Sequence, residues 1–288
     1  MVKIIAEIGC NYQGDFDKAL EMIEVAASQC KVDIIKFQKR NPKELLSSEE
    51  FDAPHPVPEN SFGSSYGLHR DYLESNIKDH ILFKKHCEKF GKHYSTSVWD
   101  LTSAKEVLEI KPNFIKIPSA LNLNFELLDY IYDNFFGDIH ISLGMTKHEE
   151  EDELMKFVGK KQSLDRTVIY SCTSGYPVKD PKDIALLEVT RIKNKYGSKL
   201  KGIGFSGHHL GIAIDVAAVT LGAEYIERHF TLDRTLKGTD HAASLEPDGL
   251  RKLCRDLNLI ENALVTKDND ILDIELTQRK KLKKIKHI

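Results

Sequence analysis

The chain has 288 residues, 41% of them hydrophobic, with 41 basic and 44 acidic side chains and a net charge of −3. That near balance argues against a dedicated nucleic-acid binder, which carries a basic excess. Five scattered cysteines with no CxxC pair read as reduced thiols in a cytoplasmic protein, and no apolar run is long enough for a signal peptide or a membrane span.

In chain order, short apolar runs predict strands at 2–8, 33–38, 93–97, 114–117, 139–143, 167–172, 202–206 and 224–230. They are β-branched or aromatic and bounded by Gly, Pro or polar residues, as buried parallel strands are. Amphipathic patterns between them predict helices. DKALEMIEVAASQ at 17–29 puts Ala19, Leu20, Ile23, Ala26 and Ala27 on one stripe. AKEVLEI, NFELLDYIYDNF, KHEEEDELMKFVGK, DIALLEVTRIKNKYG and GIAIDVAAVTLG continue the alternation, and a last helix covers 247–264. Eight βα units over residues 1–265 predict an α/β fold, the (β/α)8 TIM barrel, for which about 250 residues are typical. A doubly wound open sheet is the structural runner-up; it needs fewer strands, and no GxGxxG follows a strand.

Two segments break the rhythm. Residues 39–76 hold four of the nine prolines and are long for a βα connection, the pattern of a lid or binding loop. Residues 266–288 end in QRKKLKKIKHI and read as a basic, exposed tail.

Polar residues close every predicted strand, and in a barrel those ends form the active-site rim. They are Glu7; Lys36 and Gln38; Thr96; Lys116 and Ser119; Ser142; Ser171, Thr173 and Tyr176; Ser206 and His208; Glu227 and His229. Lys36 and Lys116 sit between apolar neighbours. An ammonium there is costly to bury unpaired, so it needs a carboxylate or an anionic ligand. Two of them beside several hydroxyls suit a pocket for phosphate and carboxylate. His208 and His229 end adjacent strands; two imidazoles with a carboxylate leave open positions on a divalent ion, as Lewis-acid catalysis requires.

The stretches AEIGCNYQGD (6–15), IIKFQK (34–39), SYGLHRDYLE (65–74), FIKIPS (114–119), ISLGM (141–145), CTSGYP (172–177), GFSGHHLGIAIDVAAVTLGA (204–223) and YIERHFTLDRTLKGTDHAASLEP (225–247) resemble the sialic acid synthases, the phosphoenolpyruvate-dependent nonulosonate synthases. The resemblance spans almost the whole barrel in order. It implies condensation of phosphoenolpyruvate with an N-acylated mannosamine-type sugar, N-acetylmannosamine or its 6-phosphate. It implies a divalent cation, Mn2+ or Mg2+, on His208 and His229. Glu7 matches the glutamate near metal and reacting water. Lys36, Gln38, Lys116, Ser119, Ser142 and Ser206 match positions around phosphoenolpyruvate, and Tyr176, Glu227 and Asp240 match groups on the acceptor side or beside the metal. A homodimer is a further family expectation.

Three departures bear on the acceptor. The chain stops before the C-terminal antifreeze-like domain that supplies an acceptor-binding arginine in many members; Arg70, in the 39–76 segment with Tyr66 and His69, is the candidate substitute. Leu121 stands where many bacterial members have glutamate, and His209 where close relatives often have Glu or Thr. Three rival readings stay open: a synthase of another 3-deoxy-ulosonic acid of legionaminic or deaminated type; a Schiff-base aldolase using Lys116 or Lys36; and an inactive barrel that binds a sugar or a protein.

Overall fold

The computed structural model describes residues 2–285. Eight parallel strands close into a barrel in sequence order: β1 (Lys3–Gly9), β2 (Ile34–Lys39), β3 (His93–Val98), β4 (Phe114–Ile117), β5 (Asp138–Ser142), β6 (Thr167–Cys172), β7 (Gly202–Gly207) and β8 (Tyr225–His229), with β8 pairing back to β1. This is the (β/α)8 fold that the sequence predicts, and each predicted strand lies within a residue or two of the observed one.

Helices alternate with the strands. They are α1 (Phe16–Glu24), α2 (Pro42–Leu45), α3 (Ser48–Asp52), α4 (Tyr66–Leu73), α5 (Ile77–Lys89), α6 (Leu101–Ile110), α7 (Phe125–Asn134), α8 (His148–Lys160), α9 (Glu188–Tyr196), α10 (Ala213–Thr220), α11 (Pro247–Ala263) and α12 (Asp273–Leu282). The sequence patterns do not single out α5. Its buried stripe is His80, Phe83 and Cys87 amid lysines, so its apolar signal is weak. Residues 39–76 are mostly short helices rather than an open loop, with α2, α3 and α4 folded among them. The tail carries α12, none of whose residues is buried.

Strand parity divides the core in two. Residues such as Ile35, Phe37, Tyr94, Ile115, Ile141 and Phe205 face the helices. The opposite set fills the barrel floor: Ile5, Ile34, Phe114, Val168 and Tyr170 form a separate buried cluster. His140 joins it, stacked 3.7 Å from Phe114 and bonded to the Tyr170 hydroxyl at 2.8 Å. Gly204 makes room for this layer: a Cβ there would meet the Tyr170 ring at 2.3 Å.

The 41–73 insert is pinched at its neck. Arg40 Nε donates to Glu74 Oε1 at 2.7 Å, and its backbone N–H donates to Oε2 at 3.0 Å. The far side docks on the loop after β8: Gly238 N–H donates to Asn60 at 3.3 Å, and Lys237 lies over the Phe62 ring at 4.7 Å.

Candidate active site

One more step of the strand alternation, above the apolar floor, turns polar. Glu7, Lys36, Gln38, Ser97, Lys116, Ser142, Cys172, Ser206, Glu227 and His229 all point into one cavity of about 280 Å³ at the C-terminal ends of the strands. Loop residues Trp99, Ser119, Met145, Tyr176 and His208 complete its wall. A larger cavity of about 480 Å³ opens elsewhere, between β1 and α11 near Cys30 and Cys254. None of the strand-end groups reaches it, so it is not where chemistry is expected.

The cavity floor carries a chain of four buried charges. Lys36 Nζ is 2.6 Å from Glu7 Oε2 and 3.5 Å from Glu227 Oε1; Lys116 Nζ is 3.1 Å from Glu227 Oε2. All four residues are at most 6% exposed. Lys36 also donates to Ser97 Oγ at 2.9 Å, and Gln38 donates to Glu7 Oε1 at 2.8 Å. Lys116 sits 3.5 Å above the Tyr170 ring, a cation–π seat on the barrel floor. Both lysines therefore have carboxylate partners within the site.

The two carboxyls are unlike. Burial pushes Glu7 up to about 7, with Lys36 opposing. Burial also raises Glu227, but Lys116 and Lys36 outweigh it and bring that carboxyl down to about 2. Glu227 thus anchors the lysines, and Glu7 is the group able to exchange a proton near neutral pH. Burial holds Lys116 below the ordinary lysine range, with Glu227 opposing. At Lys36 burial also works against the charge, but Glu227 and Glu7 outweigh it and raise the ammonium above that range.

The imidazoles of His208 and His229 face each other with ring centroids 5.4 Å apart, and Tyr176 lies 4.3 Å from His208. His208 Nδ1 donates to the Thr173 carbonyl at 2.8 Å, which leaves Nε2 with its lone pair. His229 Nδ1 is buried without a hydrogen-bond partner and lies 3.8 Å from Asp240 Oδ2. Two imidazoles with centroids 5.4 Å apart are close enough for both to reach one divalent ion. Among the described residues no three His, Cys, Asp or Glu side chains form a ready cage. An ion here would draw its other ligands from water or substrate, the open arrangement of a Lewis-acid site.

Thr96 departs from the sequence reading. It is fully buried, but on the Tyr94 face of β3, and its hydroxyl donates to the Ser97 carbonyl at 3.3 Å. The cavity residue is its neighbour Ser97, one step out of parity. Arg70 and Asp240 stand outside the cavity lining. Arg70 bonds the Tyr66 hydroxyl through Nε at 3.1 Å and Nη2 at 2.7 Å. Asp240 reaches the site through His229. The sequence reading also missed Trp99, whose Nε1 is buried on the cavity wall without a partner. Arg40 stacks behind that ring at 4.9 Å. Their only sequence signal is position, just past β2 and β3.

The chain matches the NeuB family over residues 22–269. It is 35% identical to the N-acetylneuraminate-9-phosphate synthase of Homo sapiens, over 98% of this chain and 76% of that protein. It is 33% identical to the N,N'-diacetyllegionaminic acid synthase of Campylobacter jejuni, over 91% of this chain and 77% of that protein. The solved N-acetylneuraminic acid synthetase of Leptospira borgpetersenii superposes with a TM-score of 0.80 at 31% identity, covering 98% of this chain and 92% of that one. Family, fold and the charge chain at the strand ends agree: the chain belongs to the NeuB family and is a phosphoenolpyruvate-dependent condensing synthase.

Proposed function

We propose that the chain condenses phosphoenolpyruvate with N-acetylmannosamine 6-phosphate, releasing phosphate and N-acetylneuraminate 9-phosphate. The observation that carries this is the single cavity in which the Glu7–Lys36–Glu227–Lys116 chain faces the His208–His229 pair. The two lysines, held by Glu227 and Glu7, turn N–H donors toward the phosphate and carboxylate of phosphoenolpyruvate, the charge chain gaining a net positive charge when Glu7 is protonated, and Ser119, Ser142 and Ser206 offer hydroxyl dipoles around them. His208 and His229 would hold a divalent ion, Mn2+ or Mg2+, which would supply Lewis-acid polarisation of the acceptor aldehyde. Carbon 3 of phosphoenolpyruvate bonds to the aldehyde carbon, water adds at carbon 2, and the tetrahedral intermediate expels phosphate. Glu7 takes the proton of the adding water, the former aldehyde oxygen gains a proton as it becomes a hydroxyl, and the proton of the carbon 2 hydroxyl leaves as phosphate is expelled and the ketone forms. Trp99 Nε1 and Gln38 give fixed donors beside the reacting atoms.

The phosphorylated acceptor is favoured by the human relative's name, and by two cations on the insert and on the β8 loop that it docks against. Arg70 and Lys237 make aromatic contacts and no ion pair among the described residues; Arg70 uses Nε and Nη2 on the Tyr66 hydroxyl, so its charge is uncompensated by a carboxylate partner there. A legionaminic-type acceptor is the second reading, favoured by the Campylobacter relative.

The test is phosphate release from phosphoenolpyruvate with Mn2+, with N-acetylmannosamine and its 6-phosphate offered in parallel and the product weighed by mass spectrometry. Release with the 6-phosphate alone is expected. Release with only the free sugar refutes the phosphorylated acceptor. Release with neither, in folded metal-loaded protein, moves the acceptor to other N-acylated hexoses. Borohydride trapping with pyruvate leaves the protein unlabelled if no imine lysine operates.

A further inference from the structure

β8 presents Glu227, Arg228 and His229 in succession, and parity gives them two destinations. Glu227 and His229 enter the cavity, whereas Arg228 points outward and is 1% exposed. Its Nη1 donates to Asp215 Oδ2 at 2.5 Å and to the Gly211 carbonyl at 2.8 Å; its Nη2 donates to the His209 carbonyl at 2.6 Å. Asp215, on α10, is fully buried. Both carbonyls belong to the loop after β7, and His208 opens that loop. The other side of His208 is held too: its carbonyl accepts from Val178 N–H at 3.0 Å, and its ring is fixed on Thr173.

A buried ion pair is weak as a source of stability, because desolvation offsets most of the attraction. Its geometry is informative instead. A planar fork that spans two carbonyls of one loop from the next strand sets the position of that loop. We infer that Arg228, anchored by Asp215, is a positioning residue that ties the His208 loop to β8 and so sets the separation of the His208 and His229 imidazoles. This rests on the two-imidazole reading of the site. Lysine cannot replace it: a compact ammonium can keep the Asp215 pair but cannot span both carbonyls.

The test uses the full chain stripped of metal and titrated with Mn2+ alone, with thermal melting in parallel. Arg228→Lys is expected to melt near wild type and to bind Mn2+ roughly 10–100-fold more weakly, as changes behind a metal ligand do. Its KM for phosphoenolpyruvate is expected to stay close to wild type, because Lys36 and Lys116 sit on other strands. Should Arg228→Lys fail to fold, the double change Arg228→Met with Asp215→Leu removes both charges together and carries the same expectation. Wild-type Mn2+ affinity in a folded variant overturns the positioning role. A wild-type protein that takes up no Mn2+, or a His208→Ala variant that binds it undiminished, overturns the two-imidazole reading and the positioning role with it.

Discussion

At the scale of the residue, the site turns on the contrast between two glutamates that share two lysines. Glu7→Gln keeps the shape and the Gln38 contact but removes the carboxyl that titrates near 7. Lys36 retains Glu227 at 3.5 Å, so the floor stays paired. Turnover should fall by roughly 10²–10⁴-fold in phosphate release, with KM for phosphoenolpyruvate little changed; unaltered kcat would make Glu7 a structural group. Arg70→Ala should raise KM for the sugar far more than KM for phosphoenolpyruvate, and equal effects would remove Arg70 from the acceptor side. The two buried lysines are legible in the sequence because a charge between apolar neighbours needs a partner, and most of the others because they are polar residues closing apolar strands. Thr96 shows where that logic fails. In HYSTSV three aliphatic hydroxyls, Ser95, Thr96 and Ser97, run together, and polarity alone cannot say which of them face inward. Only the register of β3 against β2, Lys36 beside Ser95 and Gln38 beside Ser97, places Ser97 in the cavity.

At the scale of the element, the 39–76 segment was opaque for a different reason. Its length and prolines read as a lid or binding loop, yet residues within it start helices. Ser47 and Glu50 form a capping box on α3, Ser65 caps α4, and Asn76 with Asp79 caps α5. Those capping signals stand in the sequence, but the helices behind them are too short for an apolar period to emerge. The loop after β1 seats α4 at one point. Gly14 adopts a φ of +72°, and a Cβ there would meet the Tyr72 carbonyl oxygen at 2.2 Å. Gly14→Ala should therefore destabilise the protein by about 1–3 kcal/mol and push the insert outward. Thermal melting measures the first effect, and a raised acceptor KM the second. An unchanged melting curve would mean that the insert moves without resistance.

At the scale of the whole molecule, the barrel was readable because eight short buried strands alternate with amphipathic helices, and few other architectures satisfy that order. No helix among the described residues is long and apolar enough to cross a membrane. The packed interface between barrel and helices also carries an acid sensitivity. His80 is fully buried, with Nδ1 on the Tyr94 hydroxyl at 2.6 Å, and burial lowers its pKa to about 3, with Lys39 adding to the effect. Below its ordinary value of 6.5 the unfolded chain takes a proton that the folded chain refuses until about pH 3. Stability therefore falls as pH drops through that window, by up to about 1.4 kcal/mol per pH unit for this one group. His80→Asn, which preserves an acceptor for Tyr94, should flatten the decline in urea midpoint between neutral and acid pH; a slope equal to wild type would place the sensitivity elsewhere.

The neck at Arg40 and Glu74 has a consequence for how such a protein diversifies. The insert leaves and re-enters the barrel at one ion pair, and beyond that base it rests on segments that follow β1, β3 and β8; lengthening a closed loop costs little extra entropy. Residues 41–73 thus change length or sequence with their ends fixed at Arg40 and Glu74, leaving the eight strands in place. With Arg70 on the acceptor side, as proposed, a chimera carrying a relative's insert is expected to change sugar preference while keeping its own bond-forming chemistry.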